Sequence, residues 1–257
     1  MANDYTVLSY EHPLNEHIRT LLRLEGLFKK VLFHIKGGDQ SDHHYALNLL
    51  LEMLRMVGRK DLIQDLIHDL NKQVLSMQSL TGNPSISPEV LRKTLEKTKE
   101  SVDMLRNKRS NPSISKNEWL MNIKKRSSIP GGACGFDMPS YHYWLNKSLE
   151  ERNQDFEVWL SELLPMYKAI KMTLHLLRSS GAESDYVAEH GAYQQSITPS
   201  KKIQLLKISM PNDSRYYPEI SGNKYIININ YYMASHFEKK NASNDNVHFK
   251  MALCNLM

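Results

Sequence analysis

A cysteine set among glycines is the part of this sequence that most resembles a catalytic site. Residues 129–139 read IPGGACGFDMP, and His142 follows Cys134 closely. Backbone N–H groups of a glycine loop can bind an anion, and a thiolate beside a histidine can act as a nucleophile. A catalytic cysteine also needs an oriented base and a third group, and the spacing shows neither. The pattern therefore favours a structural loop, in which the glycines allow a tight crossing between helices and Cys134 is a small buried packing residue.

Histidines stand beside aspartates at two places, residues 42–44 and residues 68–69. A zinc-binding helix presents histidines at i and i+4 with a supporting acid, and neither place has that spacing. Gly131, Gly132 and Gly135 resemble a phosphate-binding loop only in part, because no Lys-Ser/Thr pair follows them. We therefore expect surface histidines, no metal and no cofactor.

Basic residues form a more informative pattern. Arg19 and Arg23 lie one turn apart on a predicted helix, and residues 124–126 (KKR) directly precede the glycine loop. If the fold gathers such side chains, they form a positive groove for an acidic segment. Nucleic-acid binding through the same faces is the alternative, although no clear interleaving of aromatic and basic residues supports it. A thiol enzyme that uses Cys134 is a third possibility.

Helical periodicity dominates the first two thirds of the chain, where apolar residues recur at i, i+3 and i+4. Helices are predicted to start at Asn15, an N-cap, at Ser87-Pro88-Glu89 and at Pro139. They are predicted to end at Gly37-Gly38 and at Gly58. Pro165 is predicted to divide a long helical stretch from about residue 155 to 180.

Alternation of apolar and polar residues takes over after about residue 182. Predicted strands cover residues 192–197, 201–208, 225–231 and 247–253, with turns at 211–213 and 218–219. Residues 5–10 form a further strand, which residues 11–13 (EHP) are predicted to break. Since four strands make a small sheet, we expect the N-terminal strand to join it.

The fold class predicted from these elements is α+β, with a multi-helix α-domain and a small antiparallel β-domain that includes the N-terminal strand. The predicted domains are an α-helical domain at residues 12–182, which would carry the dimer contacts, and a β-rich domain made of residues 1–11 with 183–257.

Composition limits the classes of protein. The chain has 257 residues, 41% of them hydrophobic, and a net charge of +5; its mean hydropathy is -0.50. No apolar run approaches the roughly 18–20 residues that cross a membrane. The N-terminus lacks the basic start and apolar centre of a secretory signal. The two cysteines lie far apart in sequence, which favours a reducing cytoplasm over a disulfide framework.

Three blocks of sequence, in order, resemble the ZapD (YacF) family of cell division proteins. They are YEHPLNEHIRTLLRLE at residues 10–25, SIPGGACGFDMP at 128–139 with HYWL at 142–145, and YPEISGNK at 217–224. The chain length is also similar, and the resemblance spans essentially the whole sequence.

The resemblance implies a function that the residue patterns alone do not name. Proteins of this family are cytoplasmic homodimers with a helical and a β domain. They bind the C-terminal tail of FtsZ, the tubulin-like division protein, and bundle its filaments at midcell. No catalysis and no cofactor are attributed to them, and neither a nucleic acid nor a membrane is expected as a partner.

The family holds the FtsZ tail in a basic pocket between its helical and β parts. The residues that the resemblance assigns to this pocket are Arg23, Arg59, Lys124, Arg126, His142 and Lys224. Three positions depart from the family pattern: Asn228 and Asn230 stand where arginines are expected, and Glu118 where a basic residue is expected. The resemblance therefore implies a tail affinity and a salt dependence that differ from those of relatives.

Overall fold

The computed structural model describes residues 7–58, 61–84, 86–107, 113–127, 129–130, 132, 134–198, 200, 202–233 and 241–256. The chain divides into two units, a β-rich unit (Met1–Arg19 with Leu174–Met257) and a helical unit (Thr20–Thr173). The domain boundaries predicted at residues 11/12 and 182/183 stay a prediction.

The described residues form eight α-helices and one short 3-10 helix. They are α1 (Glu16–Gly37), α2 (Gln40–Val57), α3 (Leu62–Ser79), α4 (Pro88–Arg106), the 3-10 helix at Ser113–Lys116, α5 (Glu118–Arg126), α6 (Pro139–Leu145), α7 (Leu149–Ser161) and α8 (Leu164–Ser179).

Local capping signals place most of the helix ends where the sequence predicts them. The Asn15 Oδ1 atom accepts a hydrogen bond from the Ile18 N–H at 2.8 Å, as expected of an N-cap. Gly38, with φ of 80°, follows the end of α1, and Gly58 caps α2. The break before Pro165 is also confirmed. However, α7 begins at Leu149, earlier than predicted, because Ser148 and Glu151 form a capping box.

An aromatic cluster occupies the helical unit and contains all three tryptophans of the chain. The ring centroids of Trp119, Trp144 and Trp159 lie 5.7–5.8 Å from one another. Phe156 packs edge-on against Trp144, and Tyr141 stacks on the same indole. Because the tryptophans share one environment, their emission reports on the packing of this cluster.

Two antiparallel sheets form the β-rich unit. The strands are β1 (Val7–Pro13), β2 (Ser184–Ala188), β3 (Ala192–Ser196), β4 (Leu205–Pro211), β5 (Tyr216–Gly222), β6 (Ile226–Met233) and β7 (Val247–Cys254). Their orders are β1-β4-β7-β2 and β3-β6-β5. The α+β fold class is confirmed, and so is the place of the N-terminal strand, since β1 pairs with β4 from Val7 opposite Pro211 to Pro13 opposite Leu205.

The inner faces of both sheets share one hydrophobic core. Alternate residues of β6, namely Ile227, Ile229 and Tyr231, are fully buried in it. They pack with Phe249 and Met251 of β7, among others. The period of two that the sequence shows for β6 therefore gives one apolar face, while Asn228 and Asn230 fall on the other face.

Two proline-containing segments, residues 11–13 and 218–219, were wrongly predicted to lie outside strands. Residues 11–13 continue β1 instead of breaking it, and Pro218 lies inside β5 rather than in a turn. Proline lacks a backbone N–H, but β1 and β5 are edge strands with a partner on one side only, so each sheet tolerates it. Strand β2, which was not predicted, pairs with β7.

None of the helices among the described residues combines the length and the hydropathy that a membrane-spanning segment requires.

Candidate functional site

A cavity of about 660 Å³ lies in the helical unit between α2 and the glycine loop, defined here as residues 127–135. The residues that line it are His44, Asn48, Leu51, Glu52 and Arg55 from α2, with Ser127, Ile129, Gly132 and Cys134 from the loop. The α2 residues recur at three- and four-residue spacing, which places them on one face of the helix.

Close backbone packing holds the glycine loop in shape. The N–H groups of Ser127, Ile129 and Gly132 donate to carbonyl oxygens three or four residues earlier, at 2.8–2.9 Å. A Cβ atom on Gly132 would overlap the carbonyl oxygen of Arg126 and lie 3.0 Å from the Ile129 Cβ. Only glycine fits at this position, because the chain turns closely back on residues 126–129. The crossing between helices that the glycines were predicted to allow stays a prediction.

Arg55 lines the cavity, and its charge acts on Lys124 of α5. Lys124 belongs to the last turn of α5, and Arg55 to the last turn of α2. Burial lowers the pKa of Lys124, and the nearby charge of Arg55 lowers it further. Among the described residues, no carboxylate lies within ion-pair distance of either cation, although Glu52 lines the same cavity. The fold therefore brings two like charges close enough to influence each other, and one of them, Arg55, lies on the cavity wall.

A chain of polar side chains forms one wall of the cavity. The His44 Nδ1 atom lies 2.6 Å from the Tyr141 hydroxyl, and the Asn48 amide nitrogen lies 3.0 Å from His44 Nε2. With the amide as donor, Nε2 accepts and the Nδ1–H donates to Tyr141. Burial lowers the pKa of His44, which favours this neutral form.

The residues predicted for the basic pocket fall in different parts of the structure. Lys124 and Arg126 end α5 next to the glycine loop, and the His142 ring lies against Gly135 of that loop. Arg23 is exposed on α1. These four side chains belong to the helical unit.

The other two predicted residues do not join them within that unit. Lys224 is exposed just before β6 in the β-rich unit, with its Nζ atom 4.9 Å from the Tyr225 ring centroid. Arg59 lies outside the described residues. A pocket between the helical and β parts stays a prediction.

Two further predictions about single side chains are wrong. Cys134 is exposed rather than buried, because it lines the open cavity. His43 has no exposed surface, because it packs on the aromatic cluster against Phe156 and Trp144. His68 is exposed, as expected of a surface histidine.

Cys134 has no described partner that would activate it. Among the residues that the structure describes, none forms a hydrogen bond with the Cys134 thiol, so an oriented base is not in place there. The Gly135 contact with His142 places that ring next to the loop, but not in a hydrogen bond with the sulfur.

Sequence reasoning missed Arg55, His44 and Asn48. A signal was present, because residues 44, 48, 51 and 55 follow one face of a helix. The apolar stripe of α2 was used to predict the helix, but the polar stripe beside it was not used to predict a site. Tyr141 could not have been linked to His44 from the sequence, since the contact joins distant segments.

Comparison with known proteins gives matches to a single family. The model of the family described as "ZapD: Cell division protein" matches residues 22–230. The chain is 39% identical over 253 residues to "Cell division protein ZapD" of Aromatoleum aromaticum, an alignment that covers 97% of this chain and 98% of that protein. The protein of the same name from Azoarcus sp. is 38% identical, over 97% of this chain and all of the relative. The Dechloromonas aromatica protein of that name is 39% identical, with the same coverage.

Proposed function

This chain belongs to the ZapD family of cell division proteins, and from that premise we propose that it binds the C-terminal tail of FtsZ and cross-links FtsZ filaments. The proposed place of action is the cytoplasm at the midcell division site, where bundling would promote assembly of the Z-ring. The proposed action is binding without catalysis, and it needs neither a cofactor, a nucleic acid nor a membrane.

The observation that carries the proposal is the cationic margin of the glycine loop. Lys124 and Arg126 end α5 at this loop, His142 lies against it, and Arg55 adds a further positive charge. An acidic peptide segment is a suitable ligand for such a margin, since opposite charges favour encounter and orientation.

The proposed mechanism is bivalent cross-linking. As a homodimer, the protein would offer two tail-binding sites, each of modest affinity. A filament presents many tails, so binding of the first raises the effective concentration for the second and adds a factor on the order of 10²–10⁴ in avidity. Two sites on one particle would then join two filaments.

A sedimentation assay tests the proposal directly. Polymerised FtsZ is mixed with the purified protein and centrifuged at a speed that pellets bundles but not single filaments. FtsZ that lacks its C-terminal tail is the matched control. We expect bundles to pellet only when the tail is present. Equal pelleting with and without the tail would contradict the proposal.

Arg23 provides a test at the level of one side chain. We predict that Arg23→Glu lowers the affinity for a tail peptide by about tenfold or more, because charge reversal replaces attraction by repulsion. The matched control is Arg92→Glu, a reversal on α4 at an arginine that pairs with the exposed Glu96. If both variants bind and bundle like the unaltered protein while remaining folded, Arg23 is not part of the site.

A further inference from the structure

We propose that Arg152 of α7 is a positioning residue for the tail-binding surface, which it shapes by joining the C-terminal ends of α1 and α6. The residue is 5% exposed, so it acts indirectly, through the place that it gives to His142 on α6. The inference rests on the proposed function in one respect, namely that the ligand of this surface is the FtsZ tail.

Arg152 carries a buried charge without a carboxylate partner. Its Nη1 atom donates to the Leu145 carbonyl oxygen at 3.3 Å, and its Nη2 atom donates to the Gly38 carbonyl oxygen at 3.2 Å. Within the part of the chain that the structure describes, no carboxylate forms an ion pair with this guanidinium; Asp155 of the same helix pairs with Lys147. The Nε atom also has no hydrogen-bond partner there. Because a buried unpaired charge is costly, the two carbonyl groups must offset much of that cost.

Both carbonyl groups lie at helix C-termini. Leu145 is the last residue of α6, and Gly38 directly follows α1. The final carbonyl groups of a helix have no partner within it, and the C-terminus carries the equivalent of about half a negative charge. Two such ends together offset about one positive charge. This accounts for a buried arginine with no acid beside it, and it ties the ends of α1 and α6 to one side chain.

Helix α6 depends on outside contacts for its position. It has seven residues, and so short a helix is not stable by itself in water. Its C-terminal end is held by Arg152 and by two further contacts. The Trp144 Nε1–H donates to Asp155 Oδ2 at 2.9 Å, and the Gln40 amide donates to Asn146 Oδ1 at 3.1 Å. Of these three contacts, the one through Arg152 joins α6 to the end of α1.

Two side chains connect α6 with the surface beside the glycine loop. The Tyr141 hydroxyl lies 2.6 Å from His44 Nδ1 on the cavity wall. The His142 ring lies so close to the loop that a Cβ atom on Gly135 would be 3.0 Å from its Nδ1 atom. Binding by directed contacts tolerates displacements of only about 0.5 Å. A shift of α6 would therefore disturb the ring that the family resemblance assigns to the tail site.

The arrangement calls for a guanidinium rather than any cation. The two bonded nitrogen atoms of Arg152 reach carbonyl groups in two separate segments, and a guanidinium presents its N–H donors in fixed, diverging directions. A lysine would keep the charge but would carry all its donors on one atom. The conservative variant Arg152→Lys therefore separates the contribution of the charge from that of the shape.

The experiment is a double-mutant cycle on the binding of a fluorescently labelled FtsZ tail peptide, followed by anisotropy. Arg152→Met removes the charge and leaves an unbranched apolar chain, whereas Arg152→Lys keeps the charge. Each is made alone and together with His142→Ala. The control is Arg92→Met, at an arginine whose side chain is 63% exposed on α4. Thermal unfolding and tryptophan emission establish that each variant is folded.

We expect Arg152→Met to weaken peptide binding by about fivefold or more, and Arg152→Lys to weaken it less. Arg92→Met should leave the affinity unchanged. His142→Ala should weaken binding by the unaltered protein, but by less than about twofold in the Arg152→Met background, because the ring is then already displaced. If Arg152 served stability alone, the effect of His142→Ala would be the same in both backgrounds.

A second measurement reports on the loop without any peptide. The Asp137 and Met138 N–H groups donate to the Cys134 carbonyl oxygen at 3.0 Å, which ties the loop to the start of α6. Since Cys134 is exposed and Cys254 is buried, a neutral thiol reagent labels Cys134 first in the folded protein. We expect Arg152→Met to change that labelling rate by about threefold or more, because the loop follows α6. Arg92→Met should not change it.

The failures are distinguishable. Suppose that the unaltered protein binds the tail, but that folded Arg152 variants bind it equally well or that their loss is independent of His142→Ala. Arg152 is then not a positioning residue, and the proposed function stands. An unchanged labelling rate of Cys134 would also overturn the inference. If Arg152→Met does not fold, Arg152→Lys decides by the same criteria. If the unaltered protein does not bind the tail peptide at all, the proposed function fails and the role of Arg152 in binding fails with it.

Discussion

Gly132 and Gly26 belong to the same unit but differ in the space that an added Cβ atom would find. A Cβ atom on Gly132 would overlap the Arg126 carbonyl oxygen, whereas one on Gly26 meets no atom within 4 Å. We predict that Gly132→Ala lowers the free energy of unfolding by about 1–3 kcal/mol, since the backbone must move. The control Gly26→Ala should raise it by roughly 0.5–1 kcal/mol, because alanine favours a helix interior. Urea denaturation measures both, and an unchanged stability in Gly132→Ala would contradict the close backbone packing at Gly132.

His43 links stability to pH. Its pKa is lowered by burial first and also by the charge of Arg152; a hydrogen bond to the Ile35 carbonyl and the charges of Asp42 and Asp39 act in the opposite direction. The unfolded chain, in which the pKa of histidine is near 6.5, therefore binds protons at a pH where folded His43 does not. We predict that the free energy of unfolding falls as the pH is lowered from 7 to 5.

The variant His43→Gln tests this assignment. We expect it to show a smaller loss of stability between pH 7 and pH 5 than the unaltered protein, whatever its stability at pH 7. Part of the dependence should remain, because burial also lowers the pKa of His12 and His44. His68→Gln, at an exposed position, is the control. An identical pH dependence in His43→Gln and the unaltered protein would show that His43 does not contribute.

At the scale of elements, an ion pair joins the end of α8 to β1 within the β-rich unit. Arg178 donates two hydrogen bonds to the Glu11 carboxylate, at 2.6 and 2.8 Å, and both side chains are less than one third exposed. We predict that Glu11→Gln lowers the free energy of unfolding by about 1–2 kcal/mol, because the paired geometry and partial burial strengthen the interaction.

A double-mutant cycle with Arg178→Gln isolates this pair. The exposed pair Arg92–Glu96, one turn apart on α4, is the matched control and should show a coupling of only a few tenths of a kcal/mol, about the value for solvated helix pairs. A coupling for Glu11–Arg178 no larger than that of the control would contradict the prediction.

At the scale of the whole molecule, the net charge of +5 and the proposed pair of sites predict two salt dependences. Binding of one tail peptide should weaken as salt rises, because the charges at the site are screened. Bundling requires two such sites. The logarithm of the apparent association constant for bundling should therefore fall about twice as steeply with the logarithm of salt concentration as that for one peptide. Anisotropy and sedimentation at matched salt concentrations give the two slopes. Equal slopes would contradict cross-linking through two tails.

Most helix ends could be predicted from the sequence, because the interactions that end a helix act within one turn. Asn15, Gly38, Gly58 and Pro88 each cap or start a helix through their own side chain or backbone. The alternation in β6 was equally local. Strand ends were less readable, because Pro13 and Pro218 are tolerated only where the sheet has an edge, and an edge is a property of the assembled sheet.

The sequence by itself therefore determined the fold class, most helix ends and, through three ordered blocks, the family. Only the tertiary structure decided which side chains from distant segments lie near one another. Arg55 and Lys124 come from separate helices, and their meeting depends on how α2 and α5 pack. The exposure of Cys134 and the burial of His43 were decided in the same way. Whether a side chain meets water, a ring or a like charge depends on neighbours that are distant in the chain, and no local pattern records them.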